Sequence, residues 1–426
     1  MACADYSACF CHAPVDPWYG MKVDASSETF FKEADRLREQ TLRIADADCS
    51  TVRVNVIFPS YGLGGSLLDH LQRILMVWQP SFSSHAGSPV AAIPVPQYSH
   101  FPTNRGDTNA YLWAKFDDTL PCTSWFGCYW ERLSTPCPSA AEAVKHNFTL
   151  PNVNSSAFER RWGSLLYSAA LLRAWWRPTM ALKQKIAEGV QKIFKGPGGS
   201  RNDVDADGDG QSGVSDEARV GGGCLALHIR RGDACATAWR HCPPLDEYLA
   251  VSRAMARRYG LTSLFVATED NATLAQLHAA TASASEPWGN RIHHQAFDRA
   301  PFSQKAKRAS GSRFWVEQRL RYAQPGDRPL GRQPILQFLV DVEAASRCRA
   351  LVGTMDSHGT RLMLLRMAAR LGRVPPFYSL VAPSCPITKL PQSVAELCSN
   401  HSVARDWTSS ATSADPGWPC PGLVGV

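Results

Sequence analysis

Cys224-Leu-Ala-Leu-His-Ile229 runs directly into Arg230-Arg-Gly-Asp233, and from there strands and helices alternate. A helical stretch at 245–259 follows, then the apolar strand Ser263-Leu-Phe-Val-Ala267 and a helix from Asn271 to Ala282. After a basic insertion the pattern resumes with a helix at 335–347, the strand Ala350-Leu-Val-Gly353 and a helix at 357–371. Such alternation implies a parallel sheet with helices on its faces. Ligands of such sheets bind beyond the carboxyl ends of the strands, so the residues just after each strand are the ones to read for chemistry.

Further toward the N-terminus, Thr51-Val-Arg-Val-Asn-Val-Ile-Phe58 alternates apolar and polar residues and marks a strand. It ends in Pro59-Ser-Tyr-Gly-Leu-Gly-Gly-Ser66 and enters a helical pattern at 67–78, giving strand, glycine turn and helix. Residues 79–138, rich in Pro, Ser and aromatics, read as loops with short elements. A long helical pattern at 160–194 places Trp162, Leu165, Leu166, Ala169 and Leu172 on one face and is expected to be a single connecting helix. Residues 196–223 form a Gly/Asp-rich linker. Within it Asp205-Ala-Asp-Gly-Asp-Gly210 matches the opening of an EF-hand loop, but loop position 12 is Asp216, position 8 is Ser212 and a strand follows. A solvated acidic loop fits better than a calcium site.

A chain of 426 residues exceeds one compact core, so two domains with peripheral segments are expected. With 44% hydrophobic, 19% charged and 10% aromatic residues, wholly disordered, collagen-like and coiled-coil classes are excluded. No stretch approaches the ~20 apolar residues that span a bilayer. Met1-Ala-Cys-Ala-Asp5 lacks the layout of a signal peptide, so export is expected to use another route or a start not contained here. Of fourteen cysteines none forms a Cys-x-x-Cys pair suited to zinc, and disulfides are the better use. Cys122, Cys128 and Cys137 bracket an aromatic loop, and Cys385, Cys398 and Cys420 punctuate the tail. With the sequons at Asn147, Asn154, Asn271 and Asn400, they favour the lumen of the secretory pathway. The net charge of +7 is local: residues 291–333 hold ten Lys/Arg against three acids, which argues against a nucleic-acid-tracking surface.

His228-Ile-Arg230-Arg231-Gly-Asp233 stands where the first strand ends, and two arginines there suit a diphosphate, because guanidinium forks pair with phosphoryl oxygens. The bland alternative makes one of the two a structural ion pair. Thr268-Glu269-Asp270 follows the next strand, where acids can accept from a guanine edge or ribose hydroxyls; helix capping explains Asp270 nearly as well. Asp341 shares a helix face with Phe338 and Ala345, and a carboxylate on an apolar face requires a partner. Gly353-Thr-Met-Asp356-Ser357-His358-Gly-Thr360-Arg361 opens a helix after a strand, offering N–H groups and hydroxyls to phosphate, with capping by Ser357 as the alternative.

These pieces occur in an order that resembles the α1,6-fucosyltransferases and their protein O-fucosyltransferase relatives, within the GDP-fucose-dependent superfamily. The resembling motifs are Tyr61-Gly-Leu-Gly64 with His70, Trp175-Trp-Arg-Pro178, His228-Ile-Arg-Arg, Val266-Ala-Thr-Glu-Asp270, Leu339-Val-Asp341 and Thr354-Met-Asp-Ser357-His358. The resemblance implies an α/β fold of GT-B type with two Rossmann-like domains. It divides the chain into an extension at 1–50, an acceptor-side domain with its linking helix at 51–195, the linker at 196–220, a GDP-fucose-binding domain at 221–380 and a tail at 381–426. It implies inverting transfer of fucose to a hydroxyl of an N-glycan or glycoprotein, without metal or other cofactor, in the secretory lumen and specifically the Golgi. Membrane association would come only through a segment not present in this chain.

By the same resemblance Arg230 holds the β-phosphate, Glu269 and Asp270 contact the donor, Asp341 lies in the nucleotide pocket, and Ser357 with His358 form the phosphate-side helix start. His228 and Arg231 belong to the same donor set, and Gly62, Gly64 and His70 form the opposite wall. The chain departs from the family after Asp233: Ala234 and Ala238 stand where core α1,6 enzymes carry a lysine and the glutamate proposed as base. Asp233 is then the expected base, with His241 or Asp356 as substitutes; alternatively the chain is a GDP-sugar- or glycan-binding pseudoenzyme, or moves another deoxysugar. The tail after Tyr378 also leaves no room for the SH3-like module of animal core fucosyltransferases.

Overall fold

The computed structural model describes residues 27–46, 53–57, 90–94, 166, 168–195, 223–231, 235, 242–282, 286–289, 291–297, 332–354 and 357–380. Toward the N-terminus these are α1 (Ser27–Asp46), β1 (Arg53–Ile57), β2 (Val90–Pro94) and α2 (Met180–Lys195). The strand read at 51–58 is β1, and it pairs in parallel with β2, Arg53 opposite Val90. α1 escaped the sequence reading. It buries Phe30, Ala34 and Leu37, one stripe at four- and three-residue spacing, while its other positions are largely charged.

From residue 224 the elements are β3 (Cys224–Ile229), α3 (Leu245–Tyr259), β4 (Ser263–Thr268), α4 (Asn271–Ala280), β5 (Ile292–His294), α5 (Arg332–Ser346), β6 (Ala350–Gly353), α6 (His358–Leu371) and β7 (Phe377–Ser379). The five strands form one parallel sheet in the order β5–β4–β3–β6–β7. A mixed α/β architecture with a parallel sheet is therefore present. β3 is central and wholly buried, as a strand covered on both faces must be. Its alternate residues Leu225, Leu227 and Ile229 join Leu264, Val266 and Val352 in a cluster with Tyr248, Met255 and Trp288. On the opposite face Phe265 meets Phe194 of α2, ring centroids 6.0 Å apart, and α2 lies close on α5 where Gly189 faces Val340. A disulfide between Cys224 and Cys348 joins the start of β3 to the turn before β6.

The expected continuous helix at 160–194 is not continuous. Helix at 168–175 stops, Trp176 to Thr179 are non-helical, and α2 begins at Met180. Pro178 is the cause: it has no N–H to donate, and it disfavours helical backbone at Arg177. The helix expected from Asn271 to Ala282 ends at Ala280, with Thr281 as its C-cap and its hydroxyl donating to the Leu277 carbonyl at 2.6 Å. α5 starts three residues before the expected Ile335, since Pro334 is tolerated where a helix's first N–H groups have no intrahelical partner. Strands β5 and β7, three residues each, are too short to leave a periodic signal.

Candidate functional site

In the strand order, chain progress from β3 runs one way through β4 to β5 and the other way through β6 to β7. The switch point lies between β3 and β6, the place where ligands of open parallel sheets bind, beyond the carboxyl ends. Arg230 emerges on one side of it and the N-terminus of α6 on the other.

Arg230 is ion-paired: its Nη1 lies 2.8 Å from Glu269 Oε1, with only 19% and 12% of the two side chains exposed. The same oxygen accepts the backbone N–H of Arg231 at 2.7 Å. Glu269, the first residue after β4, thus ties the end of β4 to the end of β3. Arg231 is engaged differently, its Nη2 donating to the Pro243 carbonyl at 2.5 Å just ahead of α3. The Cys235–Cys242 disulfide, Cα atoms 5.8 Å apart, closes the loop between them, and the Cys235 N–H donates to the Arg231 carbonyl at 3.2 Å. Of the two expected phosphate ligands, Arg231 spends one fork nitrogen on the Pro243 carbonyl, and Arg230 is the one positioned by a carboxylate.

His228 is 7% exposed and its Nδ1 lies 2.6 Å from Thr360 Oγ1. A Cβ on Gly359 would stand 3.0 Å from two atoms of the His228 ring, and one on Gly353 would stand 2.7 Å from Thr360 Cγ2. His228, expected among donor ligands, therefore packs β3 against the first turn of α6, and two glycines permit the approach. Ser357 occupies the N-cap of α6 with extended backbone, but its hydroxyl makes no cap hydrogen bond, contrary to the capping alternative. The first N–H groups of a helix have no intrahelical acceptor, so a start without a Ser357 side-chain cap favours an anion.

Asp270 is otherwise occupied: its Oδ2 accepts from Thr273 N at 2.9 Å and from Thr273 Oγ1 at 2.7 Å, the N-cap of α4. That oxygen serves the helix, as the capping alternative has it. Asp341 is 8% exposed on α5, one turn after Phe338, whose ring lies against Gly359. His358 is exposed at the first position of α6. The structure thus gathers His228, Arg230, Glu269 and the α6 start, with Asp341 on the helix behind. Gly62, Gly64, His70, Asp233, His241 and Asp356 lie outside the described residues. Thr360, whose hydroxyl was read among those offered to phosphate, meets His228, and the Pro243 carbonyl was missed because a backbone acceptor carries no signal until the chain is folded. Among the described residues no group of three or more His, Cys, Asp or Glu is placed to hold a metal, and no helix is long and apolar enough to cross a membrane.

No protein-family model matches the chain, and no curated protein matches it. Among the solved structures similar to it are two fucosyltransferases. Fucosyltransferase NodZ from Bradyrhizobium has a TM-score of 0.32 and 13% identity, covering 77% of this chain and 96% of its own. NodZ α-1,6-fucosyltransferase soaked with GDP-fucose has a TM-score of 0.32 and 12% identity, covering 74% and 92%. At such scores neither likeness bears on what the chain acts on.

Proposed function

We propose that this chain binds GDP-fucose across the carboxyl ends of β3 and β6 and transfers fucose, with inversion and without a metal, to a hydroxyl of an N-glycan or glycoprotein. One observation carries the reading: Arg230 is held by Glu269 just after β3, and β6, which pairs with β3 at the switch point, leads into an α6 start whose Ser357 hydroxyl makes no cap bond. A guanidinium and a helix N-terminus together suit the diphosphate of a nucleotide sugar, and the ordered fucosyltransferase-like motifs name the sugar. In the proposed step an acceptor oxygen attacks the anomeric carbon from the face opposite GDP, and the bond to the β-phosphate oxygen breaks. Arg230 stabilises the charge on departing GDP, and the acceptor proton passes to Asp233. Asp341 is assigned to the nucleotide side, and Gly62, Gly64 and His70 to an opposing wall in a GT-B arrangement whose acceptor-side domain is 51–195. The disulfides and the sequons support a place in the secretory lumen, with the Golgi as the specific proposal.

Calorimetry with GDP tests the donor site. Arg230→Ala should weaken binding by at least ~10-fold, the loss of a charge-assisted contact, and Lys305→Ala in the basic insertion should leave it unchanged. Equal affinity in wild type and a folded Arg230→Ala protein would sink the assignment. Mass spectrometry after incubation with GDP-fucose and a glycan panel tests transfer, and Asp233→Asn should keep GDP affinity while losing at least ~10²-fold in kcat. Ala234 and Ala238, at the places of the family's lysine and base, favour one rival: a pseudoenzyme, for which GDP would bind and no acceptor would yield product.

A further inference from the structure

α5 and α6 both run away from the strand carboxyl ends, so their last turns lie at the other end of the sheet. Arg370 is about 20 Å along α6 from its N-cap at Ser357. There the two helices meet α1, the 168–175 helix, the break at Pro178 and the start of α2 around a cavity of about 480 Å³. From α1 comes Arg38, from the broken helix Arg173 and Arg177, and from α2 Lys183. The sheet helices add Arg347, Arg366 and Arg370. Against these seven cations stand, among the described residues of the lining, two carboxylates, Asp35 and Glu343.

The internal carboxylate is already used. Arg366 Nη2 and Nε lie 2.9 and 3.0 Å from Glu343 Oε2, and the Arg366 guanidinium sits 5.1 Å from the centroid of Trp176. Burial would raise the Glu343 carboxyl, but Arg366, Arg347 and Arg370 outweigh it and hold it below the usual carboxylate range. Arg173 stacks over Phe31 at 4.5 Å and donates to the Ala369 carbonyl at 3.2 Å. Burial, then the positive charges of Arg366 and Arg38, lower its pKa, with Asp35 opposing. The Arg347 Nε is buried without a hydrogen-bond acceptor. Among the described lining residues positive groups outnumber carboxylates, Arg366 and Arg38 perturb Arg173, and a buried Arg347 donor is left over in the wall, a lining that attracts an anion. Six of the seven cations are arginines, whose planar forks recognise tetrahedral oxyanions bidentately, where a solubilising face would serve as well with lysine. A volume of about 480 Å³ suits a small molecule rather than an extended polymer.

We propose that this cavity is a second binding site, distinct from the one at the strand carboxyl ends, for a small polyanion carrying two or more phosphoryl or sulfo groups. It stands independently of the proposed fucosyl transfer. Calorimetry on the full chain at about 150 mM salt, where diffuse surface attraction is screened, would use inorganic tripolyphosphate and sucrose octasulfate as separate probes. At least one should bind, and which one is tighter separates a phosphorylated ligand from a sulfated saccharide. Arg38→Gln combined with Lys183→Gln removes two exposed cavity cations and should weaken that probe by about tenfold or more. Arg347→Gln should do likewise, while Arg230→Ala at the other end leaves the affinity unchanged. Thermal melting of each variant verifies that it is folded. Binding of neither probe, or binding that Arg230→Ala weakens while folded cavity variants do not, would overturn the proposal.

Discussion

Glu269 accepts from Arg230 Nη1 and Arg231 N through a single oxygen, at 2.8 and 2.7 Å. Glutamine there would keep a carbonyl for the backbone N–H and lose the charge that fixes the guanidinium. Glu269→Gln is expected to weaken GDP by roughly tenfold, as a hydrogen bond to a charged group would, with melting little changed; calorimetry that finds undiminished affinity would make Glu269 a bystander. Glu343 supplies a pH dependence. Its folded pKa is depressed, so the carboxylate stabilises the fold above its ordinary value of 4.5, and that contribution disappears as pH falls through the folded pKa. Urea unfolding of wild type and Glu343→Gln should show a stability gap at pH 7 that narrows below 4.5; a gap constant with pH would remove Glu343 from the acid limb. Position after a strand made Arg230 legible in the sequence. The division of labour between Arg230 and Arg231 was not, because the Pro243 carbonyl that engages Arg231 is twelve residues away. Asp270 illustrates the same limit: a carboxylate before a helix serves as cap or ligand, and only the fold shows that one of its oxygens caps through Thr273.

At the scale of elements, the join of β3, β6 and α6 rests on close approach. A methyl on Gly353 would stand 2.7 Å from Thr360 Cγ2 and 3.3 Å from the His228 carbonyl, whose backbone cannot step aside. Gly353→Ala should therefore destabilise by ~1–3 kcal/mol, the usual cost of overpacking, and displace the α6 start enough to weaken GDP. Denaturant unfolding checks the first and calorimetry the second; a variant as stable as wild type would mean that the α6 start is not tightly seated. Strands β3 and β6 were read to the residue because a buried parallel strand is a short apolar run bounded by turns. The helix at 160–194 was misread because its apolar period continues across Pro178, and a backbone without an N–H overrides that period.

Over the whole molecule, the Cys224–Cys348 bond spans 124 residues and locks β3 to the entry of β6. Closing a loop of that length restricts the unfolded chain by roughly 5 kcal/mol in the chain-entropy account. Cys224→Ala with Cys348→Ala should lower the denaturation midpoint accordingly, and non-reduced wild type from a secretory host should resist alkylation at Cys224, Cys348, Cys235 and Cys242. The same protein should carry a glycan at exposed Asn271. An unchanged midpoint, or four freely alkylated thiols without a glycosidase shift, would contradict the oxidised, lumenal reading.

By itself the sequence determined the alternating α/β class, the limits of the central strands and the placing of charged groups at strand ends, since all of these follow from local period and residue type. Tertiary structure alone decided the strand order, and with it the switch point where β3, which leads into Arg230, pairs with β6, which leads into α6. It also decided the cysteine pairing and the cationic cavity, whose seven positive groups come from segments as far apart as Arg38 and Arg370. Those features depend on which faces pack together, and packing is a property of pairs of distant segments that no single stretch of sequence encodes.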